Sequence, residues 1–255
     1  MISPWILALG ALGLCAVSAG VGEAAQEAPL FEMRTYYAHP GKLDALQARF
    51  RDHTVKLFEK HGIKNVGYWV PVENAENKLI YVLEHRSKEA RDASFKSFGA
   101  DPAWQAARAK SEENGPLVQK IDSQLMVATD YSPKLKFGGE NRTYELRVYT
   151  ASPGNLGHLN ARFRDHTLKL FEKHGMTNIA YWNVAPGQPG AENMLIYILA
   201  HKSVDAAKAS FDAFRQDPAW VAARTASEQK GGGSLTAQGG VKSTFMRPTD
   251  YSALK

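Results

Sequence analysis

Three observations on the sequence predict an α+β fold made of two tandem ferredoxin-like units. The first is an internal repeat, the feature to seek before any other. Residues 31–72 align without gaps to 144–185, and 25 of the 42 positions are identical. The second is the order of periodicities inside each copy, which reads strand, helix, strand, strand, helix, strand. The third is the length of each copy, roughly 100 residues, enough for a hydrophobic core and too long for a solenoid repeat. An antiparallel βαββαβ sheet carries its helices on one face and leaves the other bare. Two copies in one chain can bury those bare faces against each other.

Phe31 to Tyr37 alternates and is rich in aromatics, which predicts the first strand. Pro40-Gly41 turns the chain. Leu43, Leu46, Phe50, Leu57 and Phe58 then recur at helical spacing, and Gly62 suits the position after a helix. Val66 to Val70 and Leu79 to Leu83 are β-branched and aromatic runs, with a loop around Asn74 between them. Ser87 is placed to cap a helix running to about Phe98. Asp101 followed by Pro102 is an N-cap with proline at N1, restarting a helix through Trp104 and Ala107. Leu125 to Thr129 predicts the closing strand. The first unit spans 30–132 and the second 142–253, joined by the Gly/Lys/Pro-rich stretch Ser132 to Asn141. The second copy has three extra residues around Pro186 to Gly190. It has four more in Gly231 to Gly240, where five of ten residues are glycine.

Residues 1–25 read as a signal peptide outside the fold. From Met1 to Gly22 no side chain is charged, and Ile6 to Val21 is a 16-residue apolar and small-residue run, short for a membrane span. Small residues then meet the first charges, so cleavage is expected after Ala19, Ala24 or Ala25. This predicts export to the periplasm or the exterior, with no membrane association after cleavage, the alternative being that the uncleaved segment stays as an anchor. Cys15 is the one cysteine of the 255 residues and lies in the leader. An intrachain disulfide, a thiolate zinc finger and an iron–sulfur site are therefore excluded. The net charge of +5 is not gathered into a Lys/Arg run, so nucleic acid is not an expected partner.

Particular residues carry a resemblance. Phe31-Glu32-Met33-Arg34-Thr35-Tyr36, Pro40-Gly41-Lys42, His61-Gly62, Tyr68-Trp69 and Asp101-Pro102-Ala103-Trp104 occur in that order. They return as Tyr144-Glu145-Leu146-Arg147, Pro153-Gly154, Gly175, Tyr181-Trp182 and Asp217 to Trp220. Met twice, this set resembles the NIPSNAP domain. The resemblance implies the dimeric α/β-barrel fold, here as a pseudo-symmetric barrel within one chain, and implies little about chemistry. Its eukaryotic members are mitochondrial proteins linked to vesicle and mitophagy roles, and the secretory-type leader sets this chain apart from them. The wider barrel superfamily includes cofactor-independent oxygenases, isomerases and haem-binding enzymes, an analogy of fold only.

His53 and His166 are the candidate catalytic residues. At about 100° per residue, His53 falls within roughly 50° of the centre of the apolar stripe, with Arg49 beside it. It is expected to face the sheet or a cavity, either as a general base or metal ligand or as a core histidine. His61 ends the helix, where imidazole favours the dipole. It lies about 12 Å from His53, too far to share a metal. No metal site and no resident cofactor are expected, since His-Glu-x-x-His is absent. Tyr68 and Trp69, like Tyr181 and Trp182, alternate to opposite sheet faces, as core packing or as walls for an aromatic ligand. Tyr81 with His85, and Tyr197 with His201, share a face, as a hydrogen-bonded pair or a ligand contact. Arg34 and Arg147 are expected to pair with Glu32 and Glu145 in the seam between the sheets, or to bind an anion. Trp104 and Trp220 read as packing anchors. Arg51, Asp52, Lys56, Glu59 and Lys60 read as a solvated helix face.

No Gly-x-Ser-x-Gly elbow, P-loop or Rossmann fingerprint is present, which argues against a serine hydrolase, a nucleotide-triphosphate enzyme and a dinucleotide enzyme. The expected function is binding of a small apolar or aromatic molecule between helices and sheet of each unit. The alternatives are a cofactor-independent oxygenase or isomerase with a pocket histidine as base, and a haem protein with His53 or His166 as axial ligand. Pairing of sheet edges would also allow a homo-oligomer.

Overall fold

The computed structural model describes residues 1, 28–138 and 142–255. The expected leader from residue 2 onward, its expected cleavage positions and Cys15 lie outside the described residues. Among those described, no helix is long and apolar enough to cross a membrane.

Unit 1 contains β1 (Leu30–Ala38), α1 (Leu43–Arg49), a π-helical turn (Phe50–Thr54) and α2 (Val55–Lys60). It continues with β2 (Lys64–Pro71), β3 (Lys78–His85), α3 (Lys88–Ala100), α4 (Pro102–Ser111) and β4 (Val118–Ala128). Unit 2 repeats the series as β5 (Thr143–Ala151), α5 (Leu156–Arg162), a π-helical turn (Phe163–Thr167) and α6 (Leu168–Lys173). β6 (Thr177–Val184), β7 (Met194–His201), α7 (Val204–Gln216), α8 (Pro218–Lys230) and β8 (Thr236–Pro248) complete it.

The eight strands close an antiparallel barrel in the order β1-β3-β2-β8-β5-β7-β6-β4. Closure is brief. β2 meets β8 through Trp69–Pro71 and Met246–Pro248, and β4 meets β6 through Met126–Ala128 and Trp182–Val184. Strand alternation fills the barrel with Phe31, Trp69, Val82, Leu146, Trp182 and Ile198, the two bare faces buried against each other. The opposite faces carry Tyr68, Tyr81 and Leu83 in unit 1, and Tyr181, Tyr197 and Leu199 in unit 2, under the helices.

The first helix is not continuous. In an α-helix the i, i+4 row of Leu46, Phe50, Thr54 and Phe58 would drift around the axis. The wider π-turn cancels that drift, so Leu46, Phe50, Thr54 and Phe58 all lie buried. The Thr54 hydroxyl donates to the Arg49 carbonyl at 3.1 Å within the turn. β4 is also longer than expected, starting at Val118 rather than near Leu125.

The repeated Asp-Tyr-Ser endings clasp the units to each other. Arg164 of unit 2 donates twice to Asp130, both at 2.7 Å, and Arg51 of unit 1 donates to Asp250 at 2.6 and 3.0 Å. The Ser132 hydroxyl accepts from the Tyr181 amide at 2.9 Å, and Ser252 accepts from the Tyr68 amide at 3.0 Å. Arg51 is therefore an inter-unit clamp and not merely part of a solvated face.

Candidate functional site

The layer between helices and sheet in unit 1 holds a buried polar cluster beside an aromatic cleft. The cluster starts from Glu32, fully buried on the helix-facing side of β1. Arg34, two residues on and so on the same face, donates through Nη1 to Glu32 and through Nε to the Tyr81 hydroxyl at 3.0 Å. Arg91 of α3 reaches down as a fork, with Nε to Oε2 at 2.9 Å and Nη2 to Oε1 at 2.8 Å. The Ser123 hydroxyl donates to Oε1 at 2.6 Å, and His85 Nε2 lies 3.3 Å from Oε2.

Burial alone would raise the Glu32 pKa. Contacts from His85, Arg91, Arg34 and Ser123 outweigh it and hold the carboxyl well below the usual range. Burial pushes the Tyr81 phenol well up, so it stays protonated and accepts from Arg34.

Unit 2 repeats the cluster with one member missing. Glu145 accepts from Arg147 and Ser243, each at 2.5 Å, and meets His201 Nε2 at 2.9 Å. Arg147 Nε donates to the Tyr197 hydroxyl at 2.9 Å. Aligning Ser87 with Ser203, the caps of α3 and α7, sets Ala207 in the place of Arg91. Nδ1 of both His85 and His201 is buried with no hydrogen-bond partner among the described residues.

The cleft of unit 1 has a volume of about 510 Å³, in the range of small-molecule sites. Six aromatic rings line it: Tyr36, Phe50, Phe58, Phe95, Phe98 and Trp104. Two guanidinium groups enter, Arg34 stacked 5.0 Å over Phe95 and Arg49 5.3 Å over Trp104. Arg49 is also held by Glu112 at 2.9 Å, while its Nε has no partner among the described residues. The outer wall is the β4 segment from Val118 to Ile121. Aromatic walls offer apolar and stacking contact, and the two guanidinium groups offer hydrogen-bond donors and positive charge. Among the described residues no three His, Cys, Asp or Glu side chains converge as metal ligands would.

Several expectations are corrected. His53 and His166 do not face the sheet: both are exposed, because the π-turn gives the inward position to Thr54 and Thr167. Neither lines the cleft, and neither is placed to act there as base or axial ligand. Tyr68 and Trp69, with Tyr181 and Trp182, lie in closed cores, as the core-packing reading expects, and only their role as ligand walls is overturned. The Tyr68 hydroxyl donates to Asn65, whose amide donates to the Val55 carbonyl at 3.1 Å, tying β2 to α2. The Glu32–Arg34 pair sits under the helices and not in the seam, which is filled by Phe31 and its apolar neighbours. Tyr81 and His85 do not bond to each other; Arg34 and Glu32 stand between them. His61 ties the helix end to Asp101 at 2.8 Å, where Lys60 also binds Asp101 at 2.7 Å.

No motif or periodicity in the sequence assigns Arg91, Tyr36, Phe95, Ser123 or the outer wall of β4 to a site. One sequence signal marks Arg91: with Phe95 it forms an i, i+4 pair, and its copy in the second repeat is alanine.

Comparison with known proteins agrees with this architecture. The chain is similar to a NipSnap homolog from Dictyostelium discoideum, 25% identical over 169 residues, 65% of this chain and 69% of that protein. A candidate monooxygenase from Lactobacillus acidophilus shares the fold at TM-score 0.55 and 11% identity, covering 89% of this chain and 97% of that one. An anthrone oxidase-like protein does so at TM-score 0.53 and 14% identity, covering 90% and 95%. The sequence profile of the NIPSNAP family matches residues 31–133 and again 144–253. With both repeats matched and the two units closed into one barrel, the chain belongs to the NIPSNAP family.

Proposed function

We propose that the protein binds a small aromatic molecule bearing an acceptor group, such as a carboxylate or phenolate, in the helix–sheet cleft of unit 1. The observation that carries this reading is the meeting of six aromatic rings with Arg34 and Arg49 in one cleft of about 510 Å³. The rings supply apolar contact, and the guanidinium groups supply orientation and charge. Glu32 and Glu112 hold both arginines in place before any ligand arrives. The apolar leader makes export part of the same proposal, tested by N-terminal sequencing of the protein from fractionated cells. A cleaved terminus outside the cytoplasm supports export, and an intact cytoplasmic chain contradicts it.

Trp104 reports directly on the cleft. Titration with a panel of aromatic carboxylates and phenols is expected to quench tryptophan fluorescence in the wild-type protein. Trp104→Phe should lose that quenching while calorimetry still detects the binding heat. No quenching and no heat with any member of the panel contradicts the reading.

An enzymatic second reading, oxygenase-type turnover of the bound compound, would need a base other than His85, which is buried behind Glu32 and does not line the cleft. It predicts that the bound compound is turned over. The names carried by the two structures of like fold are consistent with an oxygenase, but they describe those proteins only.

A further inference from the structure

The barrel leaves a sheet edge open. β4 pairs with β1 along its length, but with β6 only at Met126–Ala128. The Ala185 amide extends that contact to the Leu125 carbonyl at 2.9 Å. From Lys120 to Gln124 no second strand lies beside β4 among the described residues, so every other amide and carbonyl faces outward. Ile121, at the middle of the open stretch, is 44% exposed. The matching edge of β8 is broken by a register shift opposite Thr150, with Gly239 at φ 67°, a bulge of the kind that blunts an edge.

We propose that two copies of the chain associate by antiparallel pairing of these β4 edges about a two-fold axis at Ile121. That register is singled out by charge. It sets Lys120 opposite the second copy's Asp122, and Asp122 opposite the second copy's Lys120, on one face of the joined sheet. Within one copy Lys120 already contacts Asp122 at 3.0 Å, so the same two charges can exchange partners across the axis. On the other face the two Ile121 side chains meet and leave water. A shift of the axis to Asp122 would set two carboxylates against each other, which is disfavoured. β8 cannot pair with itself in this way, because Lys242 has no acid two residues away. A two-fold contact closes at a dimer, whereas β4 against β8 is a heterologous contact that builds rings or open chains.

The consequence for the cleft is direct. Val118, Gln119, Lys120 and Ile121 form its outer wall, so a second copy on this edge would extend that wall. The pairing itself does not depend on what the cleft binds. Its area is modest, so a concentration-dependent dimer is expected.

Sedimentation velocity of the full chain over a range of concentrations tests this. Asp122→Lys sets lysine against lysine and is expected to weaken dimerisation at least about tenfold. The double exchange Lys120→Asp with Asp122→Lys restores the complement and should return the dissociation constant to near its wild-type value. Val241→Lys, on the β8 edge, should leave it unchanged, and circular dichroism checks that each variant is folded. A chain that stays monomeric overturns the proposal. So does a dimer indifferent to Asp122→Lys, as association through the leader would be. An open ladder of species sensitive to Val241→Lys overturns it in favour of β4–β8 pairing.

Discussion

Glu32 shows how a buried charge is tolerated. Four groups, Arg34, Arg91, Ser123 and His85, converge on one carboxylate, and together they overcome the cost of burial. Removing the charge leaves Arg34 and Arg91 without it, so Glu32→Gln is expected to destabilise by about 3–5 kcal/mol in urea denaturation. The same residue fixes a pH dependence. Its folded pKa lies below the unfolded value near 4.3, so its stabilisation is complete above about pH 4.3 and is lost as the pH falls below it. Glu145, also held down, acts in the same window. Melting temperatures recorded from pH 6 downward should drop more shallowly in Glu32→Gln than in wild type. His53 makes the opposite case. Exposed on the π-turn, it should be replaceable by alanine with a stability change within about 0.5 kcal/mol and no loss of ligand binding. A large loss of binding in His53→Ala would show that the cleft is not the site.

At the scale of elements, most of the secondary structure is legible in the sequence. The caps Ser87 and Asp101 accept from the Ala90 and Ala103 amides at 3.2 and 2.9 Å, as their positions predict. Strand alternation assigns Trp69 to one face and Tyr68 to the other. What the sequence conceals is the phase of a helix. A periodicity of 3.6 residues carries no mark of an inserted π-turn, and that one turn moves His53 from the inferred interior to the surface. The partners of Glu32 are hidden for another reason. Arg91 and Ser123 lie 59 and 91 residues away, and only the pairing of β1 with β4 and the docking of α3 bring them to it. Close packing inside the barrel gives a further test. A Cβ at Gly67 would fall inside the contact distance of the Trp69 ring, whereas the second repeat has Ala180 in that place. Gly67→Ala should therefore displace Trp69 and cost about 1–3 kcal/mol, measured by chemical denaturation. A neutral result would show that the indole can turn without loss.

The whole molecule is a duplicated unit whose copies have diverged where chemistry would matter. The repeat predicts two bare sheet faces that need covering, and the barrel covers them with a shared interior and reciprocal Asp-Tyr-Ser clasps. The helix–sheet layer of each copy is then free to hold a cluster of its own. The arginine fork on Glu32 belongs to unit 1 alone, since Ala207 stands at its counterpart. The candidate site is only partly legible: the sequence marks Arg34 but not the side of the sheet it takes, and Trp104, Phe50 and Phe58 read there as packing while Tyr36 and Phe95 carry no signal of a site. The most direct measurement is a methyl-resolved NMR titration of the protein with the aromatic carboxylate that quenches Trp104 most strongly. The binding reading predicts shifts at Val118 and Ile121 on the cleft wall, with the barrel-interior methyls of Val82 and Ile198 unmoved. Shifts confined to the barrel interior or to surfaces away from the cleft would contradict it.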